Sequence, residues 1–99
     1  MNFKKVKIEI FIPAEYTNKL REELNNIGAL GVGNYDNVIS ITKIKGYWRP
    51  LVGANPFDGK INEISEANED KIEFSTDIKN IENIIKIIKE VHPYEEPVI

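Results

Sequence analysis

The sequence contains no cysteine and only one histidine among its 99 residues. Without cysteine, the chain has no disulfide, thiol nucleophile, iron–sulfur cluster or cysteine-based zinc site. A single histidine also excludes a metal site built from two histidines of the same chain. Metal or acid–base chemistry would therefore depend on His92 and on carboxylates.

An excess of positive charge and a long hydrophobic run are also missing. The 13 Lys and Arg residues are outnumbered by 16 Asp and Glu residues, and the net charge is -3. A general nucleic-acid-binding protein normally has the opposite balance. The chain has neither the continuous apolar core of a signal peptide nor the ~20 apolar residues of a membrane span. We therefore expect a soluble, cytoplasmic protein without nucleic-acid or membrane partners.

The composition is typical of a folded globular protein. Hydrophobic residues make up 41% of the chain and charged residues 29%, which argues against disorder. A length of 99 residues predicts a single domain over residues 1–99.

Alternating apolar and polar residues predict the strands. Residues 3–12 alternate cleanly and end at Pro13, and a second strand is expected at about 37–45 before Gly46. Residues 71–76 alternate again. The segment 60–66 is a candidate short strand, and 68–70 has the composition of a turn.

Two segments have the periodicity of amphipathic helices. Apolar residues repeat every three or four positions over residues 14–27, where Gly28 is a natural stop, and over residues 78–91, where Pro93 follows. Asp77 is the expected N-cap of the second helix.

The predicted order is strand–helix–strand–strand–helix–strand, with Val98 and Ile99 starting the last strand. This order is typical of an α+β fold of the ferredoxin-like split βαβ (βαββαβ) type. We expect an antiparallel sheet with two helices on one face.

His92 is the most distinctive candidate for site chemistry. At the end of the second helix and close to Glu95 and Glu96, it could bind a divalent metal or act in acid–base chemistry. Alternatively, it is a helix-end residue favoured by the helix dipole. Glu95 and Glu96 are neighbours on an extended segment and should point to opposite faces, which makes them a poor catalytic pair.

The segment 47–59 is rich in prolines, glycines and aromatic residues, and is expected to form a structured loop. Trp48 and Arg49 are candidates for a recognition surface, and long loops are often functional. The alternative is a small satellite core in which Trp48 packs against Phe57. The serines do not have the sequence context of a nucleophile elbow, and we expect no enzyme activity.

Three ordered strings, GNYDNV (33–38), YWRPLVGANPF (47–57) and HPYEEP (92–97), carry a family resemblance. Together they resemble the inserted domain of the YqfO-type proteins, which are relatives of the NGG-interacting-factor dinuclear-metal proteins. HPYEEP is also similar to a string near the C-terminus of CutA, the divalent-cation-tolerance protein. The resemblance implies a PII/CutA-like fold and a homotrimer.

The resemblance also indicates which residues to test. By similarity to CutA, His92 and Glu95 are the candidate metal contacts, and a divalent metal is the candidate cofactor. The candidate ligand-binding residues within the three strings are Asn34, Tyr35, Arg49, Asn55 and Tyr94. The hydrolase role of the larger family is not implied, because its metal site lies in flanking halves that these 99 residues do not contain.

Three functional hypotheses remain. The first is a non-enzymatic binding or regulatory module, with ligand clefts between subunits lined by segments 33–38, 47–57 and 92–97. The second is a divalent-metal-binding protein involved in ion tolerance. The third is an accessory that docks onto a separate metal-binding partner protein.

Overall fold

The computed structural model describes residues 4–99. Its elements, in chain order, are strand β1 (Lys5–Pro13), a 3₁₀ turn (Ala14–Tyr16), helix α1 (Thr17–Asn26), strand β2 (Ser40–Trp48), strand β3 (Ser65–Asp77), a second 3₁₀ turn (Ile78–Asn80) and helix α2 (Ile81–Val91). The strands form an antiparallel sheet in the order β1-β3-β2. The predicted start of the first strand at residue 3 lies outside the described residues.

The two helices pack on one face of the sheet, as the periodicity predicts. Ile8, Ile10 and Ile12 alternate inward from β1, and all three are buried. They join a core with α1 and α2 whose fully buried side chains also include Leu20, Leu24, Leu30, Ile72, Ile84 and Ile88. The predicted α+β, ferredoxin-like fold is confirmed.

The predicted turn at 68–70 is wrong. Asn68, Glu69 and Asp70 lie inside β3, which runs unbroken over 13 residues and pairs with β2 on one side. Asp70 is buried, where it accepts a hydrogen bond from the Thr17 hydroxyl at 2.6 Å and pairs with the Lys43 ammonium at 2.7 Å. These tertiary partners satisfy a carboxylate whose local preference is for turns.

Strand boundaries also differ from the prediction. Residues 61–63 form a turn and a bend, and regular pairing begins only at Ser65. β2 continues through Gly46 to Trp48. The expected last strand is reduced to one bridge between Phe11 and Val98, on the open edge of β1.

The stop predicted at Gly28 is confirmed, whereas the N-cap predicted at Asp77 is not. Gly28 follows α1 with a φ of +79°, a conformation that glycine adopts without strain. Asp77 makes no side-chain capping bond. Its carboxylate pairs instead with Lys5 at 3.0 Å.

The β2–β3 hairpin extends beyond β1, which ends opposite Glu69. Residues 65–68 therefore pair only with β2. The principal extents of 46 × 27 × 22 Å reflect this overhang. Among the described residues, no helix has the length and apolar character needed to span a membrane.

Candidate functional site

A cavity of about 410 Å³ lies where β1 ends and the β2–β3 hairpin continues. Its size falls within the range of small-molecule pockets. Three parts of the chain form it: the end of β2 with the loop that follows, the segment 94–98, and side chains of β1 and β3. We call this cavity the hairpin pocket; its main side chains are Phe11, Trp48, Arg49, Phe57, Glu69, Tyr94 and Glu95.

Two hydrogen-bonded contacts, besides one from His92 described below, attach the segment 92–97 to the rest of the hairpin pocket. The Asn55 backbone N–H donates to the Glu95 carboxylate, with distances of 3.1 and 3.2 Å to its two oxygens. The Tyr94 hydroxyl donates to Oε2 of Glu69 at 2.8 Å. Two of the three family-like strings, 47–57 and 92–97, therefore meet in one site.

Aromatic rings form one wall of the hairpin pocket. The Tyr94 ring centroid lies 5.8 Å from that of Trp48 and 6.0 Å from that of Phe57. The Trp48 indole Nε1–H donates to the Asp58 carbonyl at 3.0 Å, which fixes its ring. Trp48 and Phe57 thus pack against Tyr94, which lies between them as part of a small aromatic cluster, and all three rings line the cavity. A recognition role for this surface stays a prediction.

Glu69 is a buried carboxylate that the turn prediction missed. Glu69 is only 6% exposed. Its carboxylate lies over β2, against Gly46. A Cβ atom at position 46 would collide with the Glu69 carboxylate, so the present position of that carboxylate depends on glycine at 46. No local signal in the sequence pairs Gly46 with Glu69, because their proximity comes from strand register.

The Tyr94 hydroxyl is held in its protonated form. Burial, together with the hydrogen bond to the Glu69 carboxylate, raises the pKa of Tyr94 well above its ordinary value. At this site Tyr94 therefore provides a hydrogen-bond donor and an aromatic surface, and its hydroxyl is not poised as a base.

His92 is buried beneath the pocket, with 5% of its residue surface exposed. The Tyr94 backbone N–H donates to Nδ1 at 3.2 Å, so Nε2 carries the proton and donates to the Phe11 carbonyl at 2.6 Å. Burial lowers the pKa of His92, against the opposing effects of the Phe11 carbonyl and the Glu69 carboxylate. The imidazole is neutral at pH 7, and both nitrogens are engaged.

The metal hypothesis for His92 and Glu95 stays a prediction. A metal ion at Nδ1 would have to displace the Tyr94 N–H, and the Glu95 carboxylate already accepts from Asn55. Within residues 4–99, no group of three or more His, Asp or Glu side chains is arranged to hold a metal ion.

The remaining predicted residues divide between two ends of the molecule. Arg49 lines the hairpin pocket and is exposed. Asn55 does not line the cavity, but its backbone N–H donates to Glu95, which does. Asn34 and Tyr35 lie in a tight turn closed by hydrogen bonds between Val32 and Tyr35, before β2 begins. The length of β2 separates the two ends by roughly 26 Å, and the Tyr35 residue is 77% exposed.

The chain is similar to known proteins over nearly its whole length. No family model matches the sequence. The chain is 34% identical over 92 residues to a Staphylococcus epidermidis protein named GTP cyclohydrolase 1 type 2 homolog, and 33% identical to a Staphylococcus aureus protein of the same name. The match covers 93% of this chain and 25% of each relative. The chain therefore spans about a quarter of the length of these curated relatives.

Solved structures agree on the fold. A Bacillus cereus protein related to NIF3 superposes with a TM-score of 0.82 at 24% identity, over 96% of this chain and 24% of that one. Synechococcus elongatus CutA gives 0.68 at 18% identity over 98% and 73% of the two chains. Bacillus subtilis GlnK gives 0.63 at 16% identity over 97% and 86%. The chain is thus a homologue of one segment of the YqfO-type, NIF3-related proteins, and that segment has the PII/CutA-like fold.

Proposed function

We propose that this chain is a non-enzymatic ligand-binding module of the PII/CutA-like type, with the hairpin pocket as its binding site. The observation that carries the proposal is the meeting of the 47–57 loop and the 92–97 segment around one cavity of about 410 Å³. The contact between Glu95 and the Asn55 N–H ties the loop to the segment. A ligand in the cavity would therefore contact both the 47–57 loop and the 92–97 segment, and its binding would depend on how the two are positioned.

The surface beside the hairpin pocket supports assembly with further copies. Val52 is 84% exposed and Ile64 is 75% exposed, and Leu51 at the pocket wall is also exposed. Leu51 and Val52 are consecutive, and Ile64 precedes Ser65, which pairs with Trp48 of the pocket; exposed apolar side chains grouped in this way are typical of an interaction site. A neighbouring copy that covers these side chains would complete the cleft, and the trimer implied by the resemblance would place one pocket at each contact.

The choice of test ligands follows the fold neighbours. A complex of the neighbour Bacillus subtilis GlnK with ATP is known, so nucleotides form the first group. Divalent cations, in particular copper and zinc, form the second group because of His92 and Glu95. Small organic molecules of either charge complete the panel.

Fluorescence titration tests the pocket directly, because Trp48 is the only tryptophan and lines the cavity. We expect a ligand of the panel to change the emission of Trp48 with saturation. Arg49→Ala should change the affinity of a charged ligand several-fold. Lys19→Ala, which removes an exposed cation from α1, is the matched control and should have no effect. A panel in which nothing perturbs Trp48 would overturn the proposal.

Light scattering behind a sizing column tests the assembly. The proposal predicts a mass near three chains. Val52→Asp introduces a charge at the most exposed of these apolar positions and should lower the mass, whereas Lys19→Ala should leave it unchanged. A wild-type monomer at high protein concentration would contradict the trimer and leave the ligand test to stand alone.

A further inference from the structure

We infer that the hairpin pocket takes an organic cation, namely a protonated or alkylated amine carried on a flat apolar body. The inference rests on the proposed function, since it requires the hairpin pocket to be a ligand site. It adds the charge and shape of the ligand, which follow from the acidic and aromatic groups in the pocket wall.

The charge in the pocket wall is negative. Its carboxylates are those of Asp58, Glu69, Glu95 and Glu96, and the guanidinium of Arg49 is the only positive side chain in the wall. A cleft lined mainly by one sign of charge concentrates ligands of the opposite sign. Arg49 is exposed, as are Asp58, Glu95 and Glu96, so water screens these charges more than it screens the buried carboxylate of Glu69.

Glu69 is the buried acid in this set, and within residues 4–99 no Lys or Arg pairs with it. Its neighbour Asp70 is also buried but pairs with Lys43. Oε2 of Glu69 accepts from the Tyr94 hydroxyl. Oε1 makes no hydrogen bond to the described residues, yet it is not sealed from solvent. A buried carboxylate without a cation is costly, and a ligand amine in the cavity would supply that cation.

The aromatic wall provides the second half of the recognition. Trp48, Tyr94 and Phe57 follow one another with centroid distances of 5.8 and 6.0 Å, and all three line the cavity. The faces of aromatic rings attract cations, and groups of such rings bind quaternary ammonium ions. An apolar body can stack on the same rings, so one ligand can use both the wall and Glu69.

Isothermal titration calorimetry with three single-ring probes tests the inference. Phenyltrimethylammonium carries a positive charge, benzyl alcohol is neutral and benzenesulfonate is negative. We expect the cation to bind at least tenfold more tightly than the other two. Tighter binding of benzenesulfonate, or equal affinity for all three probes, would overturn the cation inference while leaving the hairpin pocket a ligand site. If all three probes and the wider panel give no heat, the proposed function fails as well.

Two variants test whether Glu69 and the aromatic wall are responsible for cation binding. Glu69→Gln keeps the shape and an acceptor for the Tyr94 hydroxyl but removes the charge, and should weaken cation binding about tenfold while sparing benzyl alcohol. Glu63→Gln removes an exposed charge from the loop before β3 and is the matched control. Phe57→Leu, which removes one ring, should weaken cation binding several-fold without depending on Glu69. Unchanged cation affinity in both Glu69→Gln and Phe57→Leu would contradict the inference.

Discussion

The Asn55 backbone N–H and the Glu95 carboxylate lie forty residues apart in the chain and meet at 3.1 and 3.2 Å. This contact joins a loop with no regular secondary structure to a segment that follows the last helix. The segment is held to β1 through Phe11, by the bridge to Val98 and the His92 hydrogen bond, but the loop has no strand partner. The position of the loop relative to the segment therefore depends on a few side-chain contacts. The shape of the hairpin pocket therefore depends on Glu95.

Removal of the Glu95 carboxylate should loosen the 53–57 loop. Glu95→Ala deletes an acceptor for the Asn55 N–H, and a charge-assisted hydrogen bond of this kind contributes about 1–2 kcal/mol when it is well ordered. We expect faster hydrogen exchange of the Asn55 amide, which NMR measures directly. Glu95→Gln keeps an acceptor and should retain most of the protection. Equal exchange in wild type and Glu95→Ala would show that the contact does not hold the loop.

A side chain at position 46 should disturb the hairpin pocket from the far side of Glu69. Gly46→Ala places a methyl group where Oε1 of Glu69 lies, so the carboxylate must shift, and we expect its hydrogen bond with the Tyr94 hydroxyl to weaken. We expect a loss of about 1–3 kcal/mol in the free energy of unfolding. The same substitution in a Glu69→Ala background should cost much less. An equal cost in both backgrounds would mean that the collision is relieved without moving Glu69.

Periodicity predicts the elements of this fold and most of its core. Ile8, Ile10 and Ile12 alternate in the sequence and are buried on one face of β1. In the second helical segment Ile84, Ile88 and Val91 are likewise buried, whereas Ile78 at its start is exposed. These signals are local, because a side chain's direction in a strand or helix follows from its position alone.

The site depends on contacts that periodicity does not encode. The turn-like composition of 68–70 misplaces Glu69, which strand register brings to Gly46 and which the Tyr94 hydroxyl then reaches. Two of the three family-like strings, 47–57 and 92–97, meet around one cavity, but the chain places Asn34 and Tyr35 at the other end of β2. Only a neighbouring copy could bring that turn to the hairpin pocket, and contacts between copies are not encoded in local periodicity.

The buried pair of Thr17 and Asp70 should contribute to stability. Thr17→Val keeps the shape of the side chain and removes the hydroxyl that donates to Asp70 at 2.6 Å. A buried carboxylate that loses a donor is left partly unsatisfied, which costs about 1–3 kcal/mol. Chemical denaturation should show this loss at pH 7. Thr42→Val on the exposed part of β2 is the matched control, and a similar small change in both variants would contradict a structural role for the bond.

The single histidine should make stability depend on pH in a defined direction. Burial lowers the pKa of His92 in the folded chain below its ordinary value of 6.5, so the unfolded chain binds the proton more readily. Stability should therefore rise with pH through the window just below 6.5 and fall as the solution is acidified through it. Proton NMR follows this imidazole without overlap, and unfolding at pH 7.5 and 5.5 measures the linkage. His92→Gln should flatten the dependence over that window. A folded pKa at or above 6.5 would contradict the prediction, because the Phe11 carbonyl and the Glu69 carboxylate would then outweigh the effect of burial.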